Sequence, residues 1–489
     1  MNYQSTRNDA LTASSVRAVL EGLAPDGGLY IIKNLSALPF DWRRTLDMSV
    51  YEMATAILGV LLPDVEDLGT LVRKAYDGKF TADELTPLRA VGDTYVLELF
   101  HGPTSAFKDV ALSMLPQLIT QARTQEGMTD EIVILTATSG DTGKAALAGF
   151  CDVPGTRIIV FYPENGVSKV QKAQMVTQAG GNVTVCGIRG NFDDAQTGVK
   201  NAFSACADGR LLRGKGVRLS SANSINIGRL APQVVYYFKA YADLVRLGRI
   251  QAGDPVDYVV PTGNFGDILA GYFAKRMGLP VGRLVCASNR NDVLTEFLQT
   301  GVYDRRRAFY RTHSPSMDIL VSSNLERLLY LLCEDCAEVA GYMDKLKTEG
   351  VYRVSDAMLK KLHAEFYAGC CDDEATLATI GEVWREHGYL MDTHTAVAWS
   401  VAAQYPHPCG TASVPVVVLS TASPYKFPAA VLSALGEQPP EDEFDAMARL
   451  HELTGVDIPR QLAELKEQPV RHTDVIEKDA LLDYVLAHL

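Results

Sequence analysis

Ile132-Val133-Ile134-Leu135-Thr136-Ala137-Thr138-Ser139-Gly140-Asp141-Thr142-Gly143 is the stretch that decides the fold. Its first half is a continuous apolar, β-branched run, the pattern of a strand covered on both faces in a parallel sheet. Its second half is a turn of hydroxyls and glycines opening onto a helical pattern at 143–149. The same order recurs along the chain. Strand candidates at 132–136, 157–162, 183–186, 257–260, 284–287 and 414–420 alternate with helical patterns such as those at 143–149, 170–178 and 268–277. Alternation of this kind predicts an α/β protein with open, mostly parallel sheets and binding loops at the carboxyl ends of the strands.

The rest of the chain is arranged around that core. Residues 1–95 read as a small N-terminal domain with helical patterns at 14–23 and 50–62, and 96–303 as the α/β core with a smaller substrate-loop subdomain. Strand patterns stop between 304 and 386, which predicts a helical insertion. Residues 387–489 return to the core and end in a charged tail with helical runs near 444–453 and 481–486.

The totals narrow the function. The 489 residues are 47% apolar and 21% charged, ordinary globular values. A net charge of -13 argues against a general nucleic-acid binder. The first ten residues are polar, without a basic start leading into an apolar run, and no apolar stretch is long enough for a membrane span. The nine cysteines lie scattered from Cys151 to Cys409, several in apolar surroundings, which suits a reducing, cytoplasmic setting. Cys333 and Cys336 form a CxxC, but no second pair follows at metal spacing, and a helical apolar stripe runs through Cys336; a core helix, and no metal site, is expected.

Four loops at strand ends carry chemistry. In Phe100-His101-Gly102-Pro103-Thr104-Ser105-Ala106-Phe107-Lys108-Asp109, the lysine leads into an apolar helical run. Partial desolvation there would favour the neutral, nucleophilic amine that Schiff-base chemistry needs. Taken by itself, the segment fits a solvated lysine beside a turn better. The loop from Thr138 to Gly143 presents donors to an anion. It is not a P-loop, which reads G-x-x-x-x-G-K-[ST]: Gly140 is too close to Gly143, and Ala145 follows Lys144. A carboxylate site, or a capped helix start without a ligand, remains. Pro261-Thr262-Gly263-Asn264-Phe265-Gly266-Asp267 repeats the strand–glycine–helix order and could cradle a phosphate, although G-x-G-x-x-G is absent. At the fourth, Thr421 ends a strand, where a hydroxyl suits a neutral ring nitrogen and a carboxylate would suit a protonated one.

Together these segments resemble the threonine synthase family, fold-type II pyridoxal 5′-phosphate (PLP) enzymes related to the tryptophan synthase β-subunit. Gly22-Leu23-Ala24-Pro25-Asp26-Gly27-Gly28-Leu29-Tyr30 looks like the family's N-terminal signature, and the Lys108 segment like its cofactor-attachment motif. Matches continue in order through 137–143, 221–226, 263–267 and 391–396, nearly the whole chain. The resemblance implies PLP held as a Schiff base on Lys108. Gly263, Asn264, Phe265, Gly266 and Asp267 would sit at its phosphate, Asp141 near the ring and Thr421 at the ring nitrogen. Thr138, Ser139 and Thr142 would grip the substrate carboxylate. The implied reaction turns O-phospho-L-homoserine and water into L-threonine and phosphate, the last step of threonine biosynthesis, with Lys108 as proton shuttle. Arg229, Lys169 or Lys172, with Asn226, are the candidates for the substrate phosphate. Ser105 and Ser423-Pro424-Tyr425 depart from the family's usual residues. A related PLP-dependent phospholyase or serine/threonine dehydratase shares the early chemistry. A nucleotide-binding module on the same sheet lacks a phosphate fingerprint of the right spacing. No partner beyond a small-molecule substrate is implied, and monomer or homodimer stays open.

Overall fold

The computed structural model of the chain describes residues 2–38, 40–138, 140–165, 167–206, 209–406 and 414–489. Two open sheets form the core. The larger runs in the order Phe366–Cys370, Val281–Ser288, Val256–Pro261, Val416–Ser420, Thr94–Glu98, Leu88–Val91, parallel throughout except for the last, antiparallel strand. The smaller is wholly parallel, in the order Val475–Glu477, Val183–Arg189, Thr156–Pro163, Glu131–Ala137, Val217–Ser220. Val133, Ile134 and Leu135 are all fully buried, as a strand covered on both faces requires. The expected α/β class with mostly parallel sheets is what the chain adopts.

Strand order explains where the predicted loops go. Thr94–Glu98, Val416–Ser420 and Val256–Pro261 are consecutive neighbours, with Val418 in register with both Val96 and Val259. Their carboxyl ends therefore deliver the Lys108 loop, Thr421 and the Gly263 loop side by side. The strand Glu131–Ala137 of the other sheet delivers Thr138 to Asp141 toward the same place.

Three sequence expectations change. The stretch 304–386 is not strandless: Val351–Arg353 pairs with Val302–Asp304, and Phe366–Cys370 forms the edge of the large sheet. Phe366-Tyr367-Ala368-Gly369-Cys370 lacks Val and Ile and follows the helix Asp356–Glu365 with no Gly or Pro between them, so nothing punctuates it. The leading unit carries its own small sheet of Tyr3–Ser5, Thr12–Ala13 and Tyr30–Ile32, but Leu88–Val91 already belongs to the large sheet, before the expected boundary at 95. The helix around the CxxC is two helices, Leu325–Cys333 and Cys336–Thr348, broken at Glu334, whose φ is 57°.

The helices behind the two loops, Lys108–Gln125 and Asp141–Phe150, pack closely because Gly149 has no side chain. A Cβ there would lie 1.9 Å from the Leu112 carbonyl oxygen. Gly149→Ala should thus force the Lys108 helix away from the Asp141 helix and destabilise the protein by about 1–3 kcal/mol, read by denaturant unfolding. An unchanged midpoint would contradict this packing account.

Candidate active site

The turn before Lys108 is held in an unusual shape. Ser105 adopts left-handed backbone geometry at φ 57°, which costs a non-glycine residue roughly 1 kcal/mol. Several bonds hold it there. The Asp109 carboxylate accepts from Thr104 N at 2.8 Å and from Thr104 Oγ1 at 2.5 Å. Phe107 N donates to Thr421 O at 2.8 Å, and Ser423 N donates to Ser105 O at 3.1 Å. From the C-terminal tail, Gln461 Nε2 donates to both Gly102 O and Ser105 Oγ. Lys108 then starts its helix facing inward.

Around Lys108 the structure collects buried charge. Lys108 Nζ lies 4.0 Å from Asp141 Oδ2 and donates to Ser316 Oγ at 3.4 Å. Lys426, its side chain fully buried, approaches Asp141 Oδ1 at 2.5 Å and donates to Thr104 O at 3.1 Å. Gln171 Nε2 adds a bond to Asp141 Oδ1 at 3.3 Å. Burial would push the Asp141 carboxyl up, but Lys426 and Lys108 together hold it below its ordinary range. Burial lowers the Lys108 amine, Asp141 opposes this, and Lys426 and Arg229 push it further down. Its acid form is thereby weakened without being abolished, which suits a group that gives and takes protons.

The glycine loop forms the adjoining wall. Phe265 takes left-handed geometry at φ 62° and precedes the helix Gly266–Arg276. A Cβ on Gly263 would sit 2.7 Å from Ser316 O, so only glycine fits. Asn264 O accepts from both the backbone and side-chain nitrogens of Asn324, whose helix Leu325–Cys333 begins beside it. Asp267 is buried, and burial raises its carboxyl to about 6.

Arg229 tests whether these residues suit a phosphate-bearing group. It lies near the start of the helix Ile227–Arg246, is buried, and donates through Nη1 to Ala222 O at 2.9 Å. Its Nε is buried without a partner, and burial alone pulls the guanidinium down to about 10. A desolvated cation with an idle donor is costly unless an anion completes it. The glycine loop, the helix start at Gly266 and the Lys108 amine nearby fit an aldehyde carrying a phosphate, and Arg229 can complete a second anion beside it.

The other expected substrate contacts fare unevenly. Ser139 lies outside the described residues. Thr142 sits, half-buried, in the first turn of Asp141–Phe150. Thr138 is present, but its hydroxyl is engaged in shaping the loop, accepting from Gly140 N and Gly143 N at 3.0 Å each. Asn226 is no free donor: its side chain caps Gly228 N and donates to Val19 O, tying the first helix to the core. Lys169 is not brought to the site; its exposed ammonium pairs with Asp442 at 3.3 Å. Lys426 and Ser316 were missed. Neither offered a signal in the sequence.

Comparisons with known proteins place the chain in a family. The pyridoxal-phosphate dependent enzyme family matches residues 84–421, the threonine synthase N terminus matches 2–76 and the threonine synthase C-terminal family matches 395–485. The chain is 40% identical to threonine synthase of Pseudomonas aeruginosa, over 96% of this chain and 98% of that protein. It is also 40% identical to threonine synthase-like 1 of Homo sapiens over 86% of its own length, but spans only 57% of that longer relative. The crystal structure of PLP-bound threonine synthase from Brucella melitensis superposes with a TM-score of 0.87 at 39% identity, covering 100% of this chain and 99% of that one.

The buried pair makes a direct prediction. Lys426→Met leaves Asp141 charged and without its nearest cation, and should cost about 3–5 kcal/mol in unfolding free energy. Adding Asp141→Asn should recover much of that loss, since the carboxylate stranded by the loss of Lys426 is then gone and the Lys108 amine, already pushed down by burial, can stand neutral. Because pairing lowers the folded-state pKa of Asp141, its stabilisation is present above the ordinary carboxylate range and is lost as pH falls through the lowered value. Simple additivity of the two substitutions would rule the coupling out.

Proposed function

The chain belongs to the threonine synthase family of pyridoxal-phosphate-dependent enzymes, and on that premise we propose that it converts O-phospho-L-homoserine and water into L-threonine and phosphate. The observation that carries the reading is the juxtaposition of a buried, charge-tuned lysine with an anion-ready wall containing the idle donor of Arg229. Family domains of threonine synthase on both sides of the catalytic module favour synthase over dehydratase.

In this reading PLP, joined to Lys108, supplies an electron sink that stabilises negative charge at the substrate carbons. The amides from Gly263 to Asp267 would hold its phosphate, and Asp141 and Thr421, at the end of Val416–Ser420, would be its partners at the ring. A neutral hydroxyl at the ring nitrogen would leave it unprotonated. The Lys108 amine would carry protons between neighbouring substrate carbons. Arg229 receives the phosphate of the substrate as a paired, two-donor contact. Thr142 takes the substrate carboxylate at the start of Asp141–Phe150, where helix amides also point. Asp267, with its raised pKa, can stand protonated beside an anion.

A cytoplasmic site of action is consistent with the chain: Cys151, Cys186, Cys286, Cys333, Cys336, Cys370 and Cys371 are free thiols, and no helix among the described residues is long and apolar enough to cross a membrane.

With PLP and O-phosphohomoserine, phosphate and threonine should appear in equal amounts. Lys108→Ala should lower kcat by at least about 10³-fold, and Arg229→Met should raise KM by about 10–100-fold while PLP still binds. Accumulation of 2-oxobutanoate in place of threonine would favour the phospholyase or dehydratase.

A further inference from the structure

Ser316 lies in the turn Pro315–Met317, far along the chain from every loop that the sequence singles out, yet its hydroxyl is the acceptor of the Lys108 ammonium at 3.4 Å. The turn is pinned from behind. Ser316 N donates to His394 Nε2 at 3.1 Å. Because Nε2 accepts, the ring proton sits on Nδ1 and is donated to Asp392 Oδ1 at 2.9 Å. Asp392 and His394 are both buried, and Asp392 also caps the helix Thr393–Gln404 through His394 N and Thr395 N. Thr393 Oγ1 donates to His313 O at 2.6 Å, securing the approach to the turn. Ser316 itself remains half-buried.

The chemistry gives that placement a use. Lys108 must release and recover protons in each turnover, but its side chain is only 11% exposed. Asp141 is a poor outlet, because Lys426 and Lys108 hold it ionised. A serine hydroxyl donates and accepts at once, and this one links the buried amine to the half-exposed side of the turn.

Resting on the threonine synthase reading above, we propose that Ser316 is a further catalytic residue, whose hydroxyl relays protons between the Lys108 amine and solvent, with His394 and Asp392 as its positioning residues. In the outward step an N–H bond of the Lys108 ammonium breaks as Ser316 Oγ takes that proton, while the original hydroxyl proton of Ser316 passes to water. The amine is left neutral, the serine is regenerated and hydronium departs; uptake is the reverse.

The test uses the PLP-loaded enzyme with Ser316→Ala and Ser316→Thr. The alanine variant should lose about 10²-fold in kcat with KM nearly unchanged and show a larger solvent deuterium isotope effect. Threonine, which keeps the hydroxyl, should restore most of the rate. His394→Leu should repeat part of the loss, and His394→Gln, which can still accept from Ser316 N, should recover some of it. In the cofactor-free protein, Ser316→Ala should lower the pH at which Lys108 is half-modified by an acylating reagent, since the ammonium loses an acceptor. A Ser316→Ala enzyme with unaltered kcat and isotope effect, or a loss that threonine does not rescue, would overturn the relay alone. Wild-type protein that releases no phosphate from O-phosphohomoserine would overturn the functional reading and the relay with it.

Discussion

The contact on which the site depends is the buried ion pair between Lys426 and Asp141, with Lys108 as its third member. It crosses from one sheet to the other: Asp141 follows a strand of the five-stranded sheet, while Lys108 and Lys426 follow neighbouring strands of the six-stranded sheet. Taking three charges out of water costs several kcal/mol per ion, and such clusters seldom pay in stability alone. Here the cost is offset by specific bonds, Lys426 to Thr104 O and Gln171 to Asp141. What the cluster gains is position. Two cations and one anion leave the last cation, Lys108, weakly held and shifted toward its neutral form, whereas Asp141 stays charged.

The same economy explains the tail. Residues beyond 438 could pass for a solubilising extension, being charged and helical. Instead Gln461 reaches back to bond Gly102 O and Ser105 Oγ, bracing the left-handed turn that aims Lys108. Val475–Glu477 extends the smaller sheet, and Leu481 and Val485 join the core beneath it. The N-terminal unit is tied in by comparable means, with Arg327, fully buried, donating to Tyr30 O. Both ends of the chain therefore help to set the geometry of the middle.

Much of this was legible in the sequence because it rests on local signals. Continuous Val/Ile runs gave the central strands, and glycine with hydroxyls at their ends gave the loops at 138–143 and 263–267. What stayed hidden depends on residues brought together over long separations. Lys426 reads as one lysine among many until its burial against Asp141 is known. Ser316 lies in a stretch without strand periodicity, and its value comes from Lys108 and His394, hundreds or tens of residues away. Asn226 and Lys169 show the opposite case: their residue types suit a phosphate, but local structure engages one as a helix cap and the other in a surface ion pair. Phe366–Cys370 escaped notice because pairing with Val281–Ser288, rather than propensity, makes it a strand.

Three buried or half-buried lysines, Lys108, Lys144 and Lys426, crowd this region, and burial lowers Lys144 to about 8, so the identity of the cofactor-bearing lysine is the central claim. Borohydride reduction of the PLP-treated protein followed by peptide mass mapping tests it directly. The account predicts a single PLP adduct on the peptide containing Lys108. An adduct on Lys144 or Lys426, or none, would contradict it.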